Sequence, residues 1–229
     1  MIDKPNVARK SSSINTKSRA RVRDNGEVFT SEREVNAMLD LVKDETLRIE
    51  SKFLEPACGD GNFLAPILER KLEVVQTRYK RSQLEFERNL IIAVGSIYGV
   101  ELMRDNVSDC QKRLYKIVLA YYKNNFGKKV KDSICKSIMA IIRRNFLWGD
   151  ALTLKTPDQE SAPIIFSEWS RPFNDSRIKR HDYFFSELVP QEQDNLFTQE
   201  LVSDLGKNGF IPRPYRSYPT VHMSKIEEL

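Results

Sequence analysis

The chain has 229 residues and a mass of 26.6 kDa, and its 37 Lys and Arg outnumber 32 Asp and Glu to give a formal net charge of +5. With 30% charged residues and a mean hydropathy of −0.49, it contains no apolar run of roughly 18 residues, which excludes a protein held in a membrane by spanning helices. The length suits one domain of up to about 200 residues with extensions, and the early basic stretch lacks the apolar region of a secretory signal.

The positive charge is concentrated at the N-terminus. Residues 1–23 hold seven basic residues against Asp3 alone, a local net charge of +6, whereas residues 24–229 carry 30 basic and 31 acidic groups. Residues 1–23 show no helical or strand period, so we predict a disordered basic arm that is either solvated or in contact with phosphates. Their Ser- and Arg-rich composition also fits an organellar transit peptide, but no apolar stripe supports that alternative.

The cysteines and histidines do not form a metal-binding or disulfide pattern. Cys58, Cys110 and Cys135 are odd in number and scattered, and His181 and His222 are the only histidines. We therefore expect no metal site and a reducing, cytoplasmic compartment.

Helical and strand patterns alternate between residues 24 and 188. Apolar residues recur at helical spacing after a capping residue at Thr30 or Ser31, and residues 97–101 are almost entirely apolar up to an acidic end, as in a buried parallel strand. We expect helices after Ser31, from Asn62, and at 83–94, 104–124 and 131–143, with strands at 52–55, 97–101, 145–148 and 164–166.

This order predicts an α/β fold with an open, mainly parallel sheet. Residues 164–166 would form the fourth strand, and residues 183–185 could add an edge strand. Residues 189–229 mix proline, glutamine and short apolar pieces, which predicts an irregular C-terminal extension.

A glycine turn follows the first strand. Glu55 ends the strand, Pro56 follows, and Gly59 and Gly61 precede a helix. Glycines allow positive φ and close backbone approach, and the helix start directs N–H groups and the positive end of its dipole toward a ligand. The turn lacks the third glycine of the dinucleotide-binding fingerprint.

Two further acids end the next strands. Glu101 could accept both hydroxyls of a ribose, and Asp150 could accept a hydrogen bond from an exocyclic amino group. Glu101 follows Gly61 by 40 residues rather than about 20, because a second helix lies between them. Three acids after apolar strands, together with the glycine turn, indicate a nucleoside-binding edge of the sheet.

These residues resemble a known family. The segments 26–30 (GEVFT), 53–64 (FLEPACGDGNFL), 97–102 (IYGVEL) and 148–152 (WGDAL) are similar to those of the amino-methyltransferases of bacterial restriction–modification systems. Those are class I S-adenosyl-L-methionine-dependent DNA methyltransferases, mostly specific for the N6 of adenine. The resemblance spans about residues 24–166 and implies a Rossmann-like domain over 24–188, with helices on both faces of the sheet and an incomplete C-terminal side.

The resemblance also implies roles for individual residues. Phe29 and Thr30 would flank the methionine end of S-adenosyl-L-methionine, Glu55 and the glycine turn would hold its aminoacyl and sugar portions, Glu101 would bind the ribose and Asp150 the adenine amino group. The implied cofactor site also includes Pro56, Ala57, Phe63, Leu102 and Ala151.

The family's catalytic string is absent. These enzymes usually follow the fourth strand with Asn/Asp-Pro-Pro-Tyr/Phe, whose acceptors activate the amino nitrogen and whose ring stacks on the flipped base. Here residues 164–166 are followed by Ser167-Glu-Trp-Ser170, and no Asn-Pro-Pro-Tyr string occurs in the chain. Glu168 as acceptor and Trp169 as stacking surface are the candidate substitutes.

The sequence therefore favours a DNA adenine methyltransferase, or the cofactor-binding subunit of a split one, whose protein partner supplies target recognition and the missing acceptor residues. A non-catalytic methyltransferase-like binding protein and an RNA or protein methyltransferase are the alternatives. Residues 193–197 (QDNLF) also resemble the short peptides that dock on the bacterial replication sliding clamp.

Overall fold

The computed structural model describes residues 30–188 and 212–229. Within these ranges no helix has both the length and the apolar character needed to cross a membrane. The α-helices are α1 (Glu32–Leu41), α2 (Lys43–Thr46), α3 (Leu64–Tyr79), α4 (Gln83–Gly95), α5 (Arg104–Phe126) and α6 (Asp132–Asn145). The strands are β1 (Phe53–Glu55), β2 (Ile97–Glu101), β3 (Phe146–Trp148), β4 (Ile165–Ser170), β5 (Arg177–Phe184), β6 (Arg216–Ser217) and β7 (Val221–His222).

Local sequence signals define several helix starts. At α1, the Ser31 hydroxyl accepts the backbone N–H of Glu34 while the Glu34 carboxylate accepts the backbone N–H of Ser31, which is a complete capping box. Ser82 caps α4 through the N–H of Glu85. Because these caps satisfy backbone donors that the helix itself leaves free, they fix where each helix begins.

The first three strands form a parallel sheet in the order β1-β2-β3. Glu55 pairs in register with Gly99, and Glu101 pairs with Trp148. All five residues of β2 are buried, as the apolar run predicts for the central strand. The α/β class and the positions of these strands and of the helices between them are confirmed.

The described helices cover one face of this sheet. Ile97 and Phe146 belong to the main core with residues of α3 to α6, whereas Tyr98 and Val100, which point to the other face, pack with Ile164, Phe166 and Phe185. The expectation of helices on both faces is therefore wrong for the described residues, since the second face is covered by the chain that leads into and out of β4 and β5.

β4 does not extend the parallel sheet. It pairs antiparallel with β5, which in turn pairs with β6 and β7. The strand predicted at 164–166 exists, but the prediction that it continues the parallel sheet is wrong. Of the piece at 183–185, predicted as an edge strand, Tyr183 and Phe184 end an eight-residue strand and pair with β4, whereas Phe185 begins a 3₁₀ helix. Short apolar runs predict a strand but not its partner, because pairing depends on residues far along the chain.

The C-terminal residues pack on this second sheet. Residues 212–229 contain β6, β7 and a 3₁₀ helix (Met223–Glu228), whose Met223 and Ile226 are buried in the main core. Arg180 donates from Nη1 to the carbonyl of Leu229 at 2.7 Å. This part of the predicted irregular extension is therefore ordered, while the predicted arm at 1–23 and the QDNLF segment at 193–197 lie outside the described residues.

A buried lysine ties helix α3 to the loop before β1. Lys71 Nζ, which has at most three N–H donors, lies within hydrogen-bond distance of four oxygens: the carbonyls of Arg48 and Ile49 at 3.0 Å and of Ser51 at 2.5 Å, and the hydroxyl of Ser96 at 2.9 Å. Burial lowers the pKa of Lys71 to about 7. The carbonyl of Ile49 also accepts from the Ser96 hydroxyl and that of Arg48 from the N–H of Ser51, whereas Lys71 is the donor to the carbonyl of Ser51, so these bonds hold the loop that starts β1.

Candidate functional site

The strand-end acids share one edge of the parallel sheet. Because β1, β2 and β3 are parallel and in register, Glu55, Glu101 and Asp150 all lie at or just beyond the carboxyl ends of their strands. The N–H of Gly149 donates to the carbonyl of Glu101 at 3.0 Å, which joins the ends of β2 and β3. We call this edge, with the glycine turn, the carboxyl rim.

The glycine turn adopts the backbone that its sequence requires. Gly59 has φ +53° and Gly61 has φ +88°, a region that side chains disfavour. A Cβ on Gly59 would meet no atom within 4 Å, so the space beside this residue is open, whereas a Cβ on Gly61 would lie 3.0 Å from Cys110 Sγ. One glycine therefore faces open space, and the other permits close packing of the turn on α5.

Glu101 holds the turn in place. Its Oε2 accepts the N–H of Gly59 at 2.8 Å, and its Oε1 accepts the N–H of Met103 at 2.9 Å and a longer bond from Asn106 at 3.4 Å. Glu101 is 8% exposed. A carboxylate has about four acceptor positions, so Glu101 can organise the rim and still accept from a ligand.

Residue 30 reaches the same turn. Asn62 donates from Nδ2 to the carbonyl of Thr30 at 2.7 Å, which brings the start of α1 beside the glycine turn. Glu55 Oε1 accepts the N–H of Ala57 at 3.2 Å. Thr30 and Glu55 thus both lie beside the glycine turn, whereas Phe29 lies outside the described residues.

The end of β3 presents a carboxylate between exposed aliphatic side chains. Asp150 Oδ1 accepts the N–H of Leu152 at 2.8 Å, and Leu152 is 95% exposed. Leu102, after Glu101, is 47% exposed. Leu152 was not among the predicted site residues, although an apolar side chain two residues after a strand-end acid was a signal for it.

The N-terminus of α5 closes this end of the rim. Trp148 donates from Nε1 to the carbonyl of Leu102 at 2.8 Å, and the guanidinium of Arg104 lies 3.7 Å from the centre of the Trp148 ring. This cation–π contact and hydrogen bond fix the loop after β2 against the end of β3.

Two cysteines pack beneath the turn. Cys58 lies against Gly99 and Cys110 against Gly61, and both are buried. A hydrogen bond with Cys110 and burial both raise the pKa of the Cys58 thiol far above its usual range. Cys58 therefore stays a protonated packing group, because a reactive cysteine requires the thiolate.

The candidate substitutes for the catalytic string lie away from the rim. Trp169 is 6% exposed and donates from Nε1 to Asn145 Oδ1 at 2.9 Å, so its ring packs in the core and has no free face for a base. Glu168 forms an ion pair with Lys52, which precedes β1 at the opposite end of the strand, and accepts the hydroxyl of Tyr183 at 3.0 Å. Although burial opposes it, the hydrogen bond from Lys52 lowers the pKa of Glu168. Neither residue is brought to the carboxyl rim.

A cavity of about 220 Å³ lies beside the exposed side of β1. It is lined by Leu54, Tyr98, Phe166 and the Lys52–Glu168 pair, among others. Burial raises the pKa of Tyr98 well above its usual range. The walls are therefore mainly apolar, and the cavity is separate from the rim acids.

Comparisons with known proteins found no match: no family model, no curated protein and no solved structure is similar to this chain. Within residues 30–188 and 212–229, no three His, Cys, Asp or Glu side chains are grouped so that they could hold a metal ion.

Proposed function

We propose that the chain binds S-adenosyl-L-methionine at the carboxyl rim and acts as the cofactor-binding part of a DNA adenine-N6 methyltransferase with a Rossmann-like domain. The observation that carries the proposal is the bond from the Gly59 N–H to the Glu101 carboxylate. It joins the glycine turn of β1 to the acid of β2 at the edge of a parallel sheet where nucleoside ligands bind.

The donors and acceptors at the rim fit the parts of this cofactor. The N–H groups of Asn62 and Phe63 make no hydrogen bond within the described residues, and they precede α3, where an anionic carboxylate is favoured. The carboxylate of Glu55 can pair with an ammonium group. Open space at Gly59 lets the sugar portion approach the backbone.

The purine end of the ligand would lie near β3. Asp150 can accept from an exocyclic amino group while its Oδ1 keeps the Leu152 N–H. The exposed side chains of Leu102 and Leu152 offer apolar surface to a flat ring. When bound, S-adenosyl-L-methionine supplies an electrophilic methyl group for transfer to a nitrogen.

The acceptor side of the reaction requires residues that the described part of this chain does not bring to the rim. A flipped adenine needs acceptors for its amino hydrogens and an aromatic surface for stacking. Since Trp169 is buried and Glu168 is paired with Lys52, we propose that a partner protein supplies these groups and target recognition.

Calorimetry tests the cofactor site. We expect S-adenosyl-L-methionine to bind the wild type and to bind Asp150→Ala about 10- to 100-fold more weakly, because one hydrogen bond to a charged group contributes about 1.5–3 kcal/mol. Glu227→Gln, at an exposed C-terminal position, is the matched control and should bind like the wild type. Equal binding by Asp150→Ala, or no binding by the wild type, would contradict the proposal.

A non-catalytic methyltransferase-like protein is the second candidate, and the burial of Trp169 favours it. Transfer of a radiolabelled methyl group to mixed-sequence DNA, with and without the proposed partner protein, separates the enzyme from the non-catalytic protein. Labelled DNA in either reaction supports the enzyme; cofactor binding with unlabelled DNA in both supports the non-catalytic protein. Parallel reactions with RNA and protein test the remaining acceptor classes.

A further inference from the structure

Positive charge is concentrated on helices α5 and α6 and on the loop that joins them. Residues 104–144 contain eleven Lys and Arg and three acidic residues, a formal net charge of +8, whereas the rest of residues 24–229 carries a net charge of −9. The net charge of residues 24–229 is therefore close to zero only because a positive segment and a negative remainder offset each other. The net charge of successive short segments, unlike the net charge of residues 24–229 as a whole, reveals this segment from the sequence alone.

Helix geometry places several of these residues on one stripe of α5. Lys112, Lys116 and Lys123 are separated by four and seven residues, so they lie within about 40° of one another around the helix axis. All three are exposed. Leu114 and Val118 lie on the buried side of the same helix, which fixes the lysine stripe toward solvent.

Helix α6 adds a second stripe beside the first. Lys136 and Arg143 are seven residues apart and both exposed, so they share a face of α6. The side chain of Tyr115 in α5 contacts the thiol of Cys135 in α6, next to Lys116 and Lys136. We call Lys112, Lys116, Lys123, Lys136 and Arg143 the α5–α6 basic surface.

Three of the five charges on this surface have no ion-pair partner in the part of the chain that the structure describes. Lys112 lies 3.8 Å from Asp109, and Lys136 lies 3.3 Å from Asp132. Lys116, Lys123 and Arg143 have no ion pair within residues 30–188 and 212–229. Like charges four residues apart on a helix, as at Lys112 and Lys116, oppose folding. Lys116, Lys123 and Arg143 are therefore the residues of this surface that can pair with an external anion.

The spacing of these charges fits an extended polyanion. Lys112 and Lys123 are eleven residues apart, so the stripe extends about 16 Å, which corresponds to about five steps along a DNA backbone. The same helix starts at the carboxyl rim, where Arg104 lies over Trp148. A duplex bound along α5 would therefore lie at a fixed distance and orientation relative to the carboxyl rim.

We propose that the α5–α6 basic surface binds the phosphates of double-stranded DNA without reading its sequence. The choice of DNA rests on the proposed function, and the charge complementarity rests on the surface alone. Such contacts release counterions, so affinity falls as salt rises, with a slope proportional to the number of phosphates contacted.

The test compares two full-length triple variants by fluorescence anisotropy on a mixed-sequence duplex of about 20 base pairs, between about 50 and 200 mM salt. The variant K116Q/K123Q/R143Q should bind about tenfold or more weakly than the wild type, and its log–log salt slope should be smaller by about 2–3. The control K43Q/K80Q/K225Q removes the same charge from exposed positions elsewhere and should bind like the wild type.

Equal losses in the two variants would overturn the proposal, since they would reflect net charge alone, as would the absence of any loss. Tighter binding of single-stranded RNA, or of phosphatidylserine vesicles, to the same surface would replace DNA with that partner. Because the measurements contain no cofactor, calorimetry of K116Q/K123Q/R143Q with S-adenosyl-L-methionine tests the proposed function separately, and its result should equal that of the wild type.

Discussion

Substitution of Glu101 by glutamine tests whether the carboxylate organises the carboxyl rim before any ligand binds. In the structure, its two oxygens accept the backbone N–H groups of Gly59 and Met103 at 2.8 and 2.9 Å. Glutamine has nearly the same shape, but one acceptor oxygen becomes an NH₂ donor. One of the two backbone N–H groups must therefore lose its acceptor and face another donor.

The expected cost follows from these two bonds. A hydrogen bond to a charged group contributes about 1.5–3 kcal/mol, and an unsatisfied buried donor costs about 1–3 kcal/mol. Since the bond at Gly59 is only partly buried, we expect Glu101→Gln to lower the free energy of unfolding by about 2–4 kcal/mol. For a chain of this size, the melting temperature should fall by about 5–15 °C.

Glu55→Gln is the matched control, because Glu55 accepts a single, longer bond from the N–H of Ala57 at an exposed position. It should cost less than about 1 kcal/mol. Urea unfolding followed by circular dichroism measures both variants. Equal costs for the two substitutions, or a cost for Glu101→Gln below about 0.5 kcal/mol, would refute the view that Glu101 holds the glycine turn.

Three further predictions concern the buried lysine, the glycine turn and the basic arm. Lys71→Met should cost about 1–3 kcal/mol in urea unfolding, because it removes the donor to the partly buried carbonyl of Ser51. Burial lowers the pKa of Lys71 to about 7, so above that pH the unfolded chain binds more protons than the folded chain. From pH 7 to 9 the free energy of unfolding of the wild type should therefore rise by up to about 1.4 kcal/mol per pH unit relative to that of Lys71→Met. Parallel pH profiles of the two proteins would mean that the folded chain keeps the ammonium charged. Gly61→Ala should lower the free energy of unfolding by about 2–4 kcal/mol and weaken cofactor binding, because φ is +88° and the new Cβ would lie 3.0 Å from Cys110 Sγ. Gly59→Ala, where the space is open, should lower it by only about 1–2 kcal/mol. A larger loss for Gly59→Ala than for Gly61→Ala in thermal unfolding would contradict this geometry. Deletion of residues 1–23 should weaken DNA binding at low salt and flatten its salt dependence, and an unchanged slope would exclude phosphate contacts by the arm.

Local patterns were sufficient for the elements around the rim. The strand at 53–55, the glycine turn and the strand at 97–101 follow from apolar runs, glycines and acidic strand ends that lie within a few residues of one another. Parallel strands in register then bring Glu55, Glu101 and Asp150 to one edge of the sheet. Once the three strands are known to be parallel, the shared position of these acids therefore follows from the sequence.

The internal bonds of the rim could not be predicted in the same way. Glu101 was selected as a ribose ligand, but its bond to the Gly59 N–H joins residues that are 42 positions apart. Glu168 and Trp169 were selected because they follow an apolar run, yet alternation along β4 directs Trp169 into the core and Glu168 toward Lys52. Which face of a strand is buried depends on the sheet that it joins.

The sequence by itself determined the α/β class, the positions of the first three strands and the identity of the acids at their ends, because these depend on periodicity and on residues adjacent in the chain. Only the tertiary structure decided that β4 pairs antiparallel with β5, that residues 212–229 join that sheet, and that Tyr115 of α5 contacts Cys135 of α6. Each of these is a contact between distant segments, and its free energy depends on complementary shape and charge that no single segment contains.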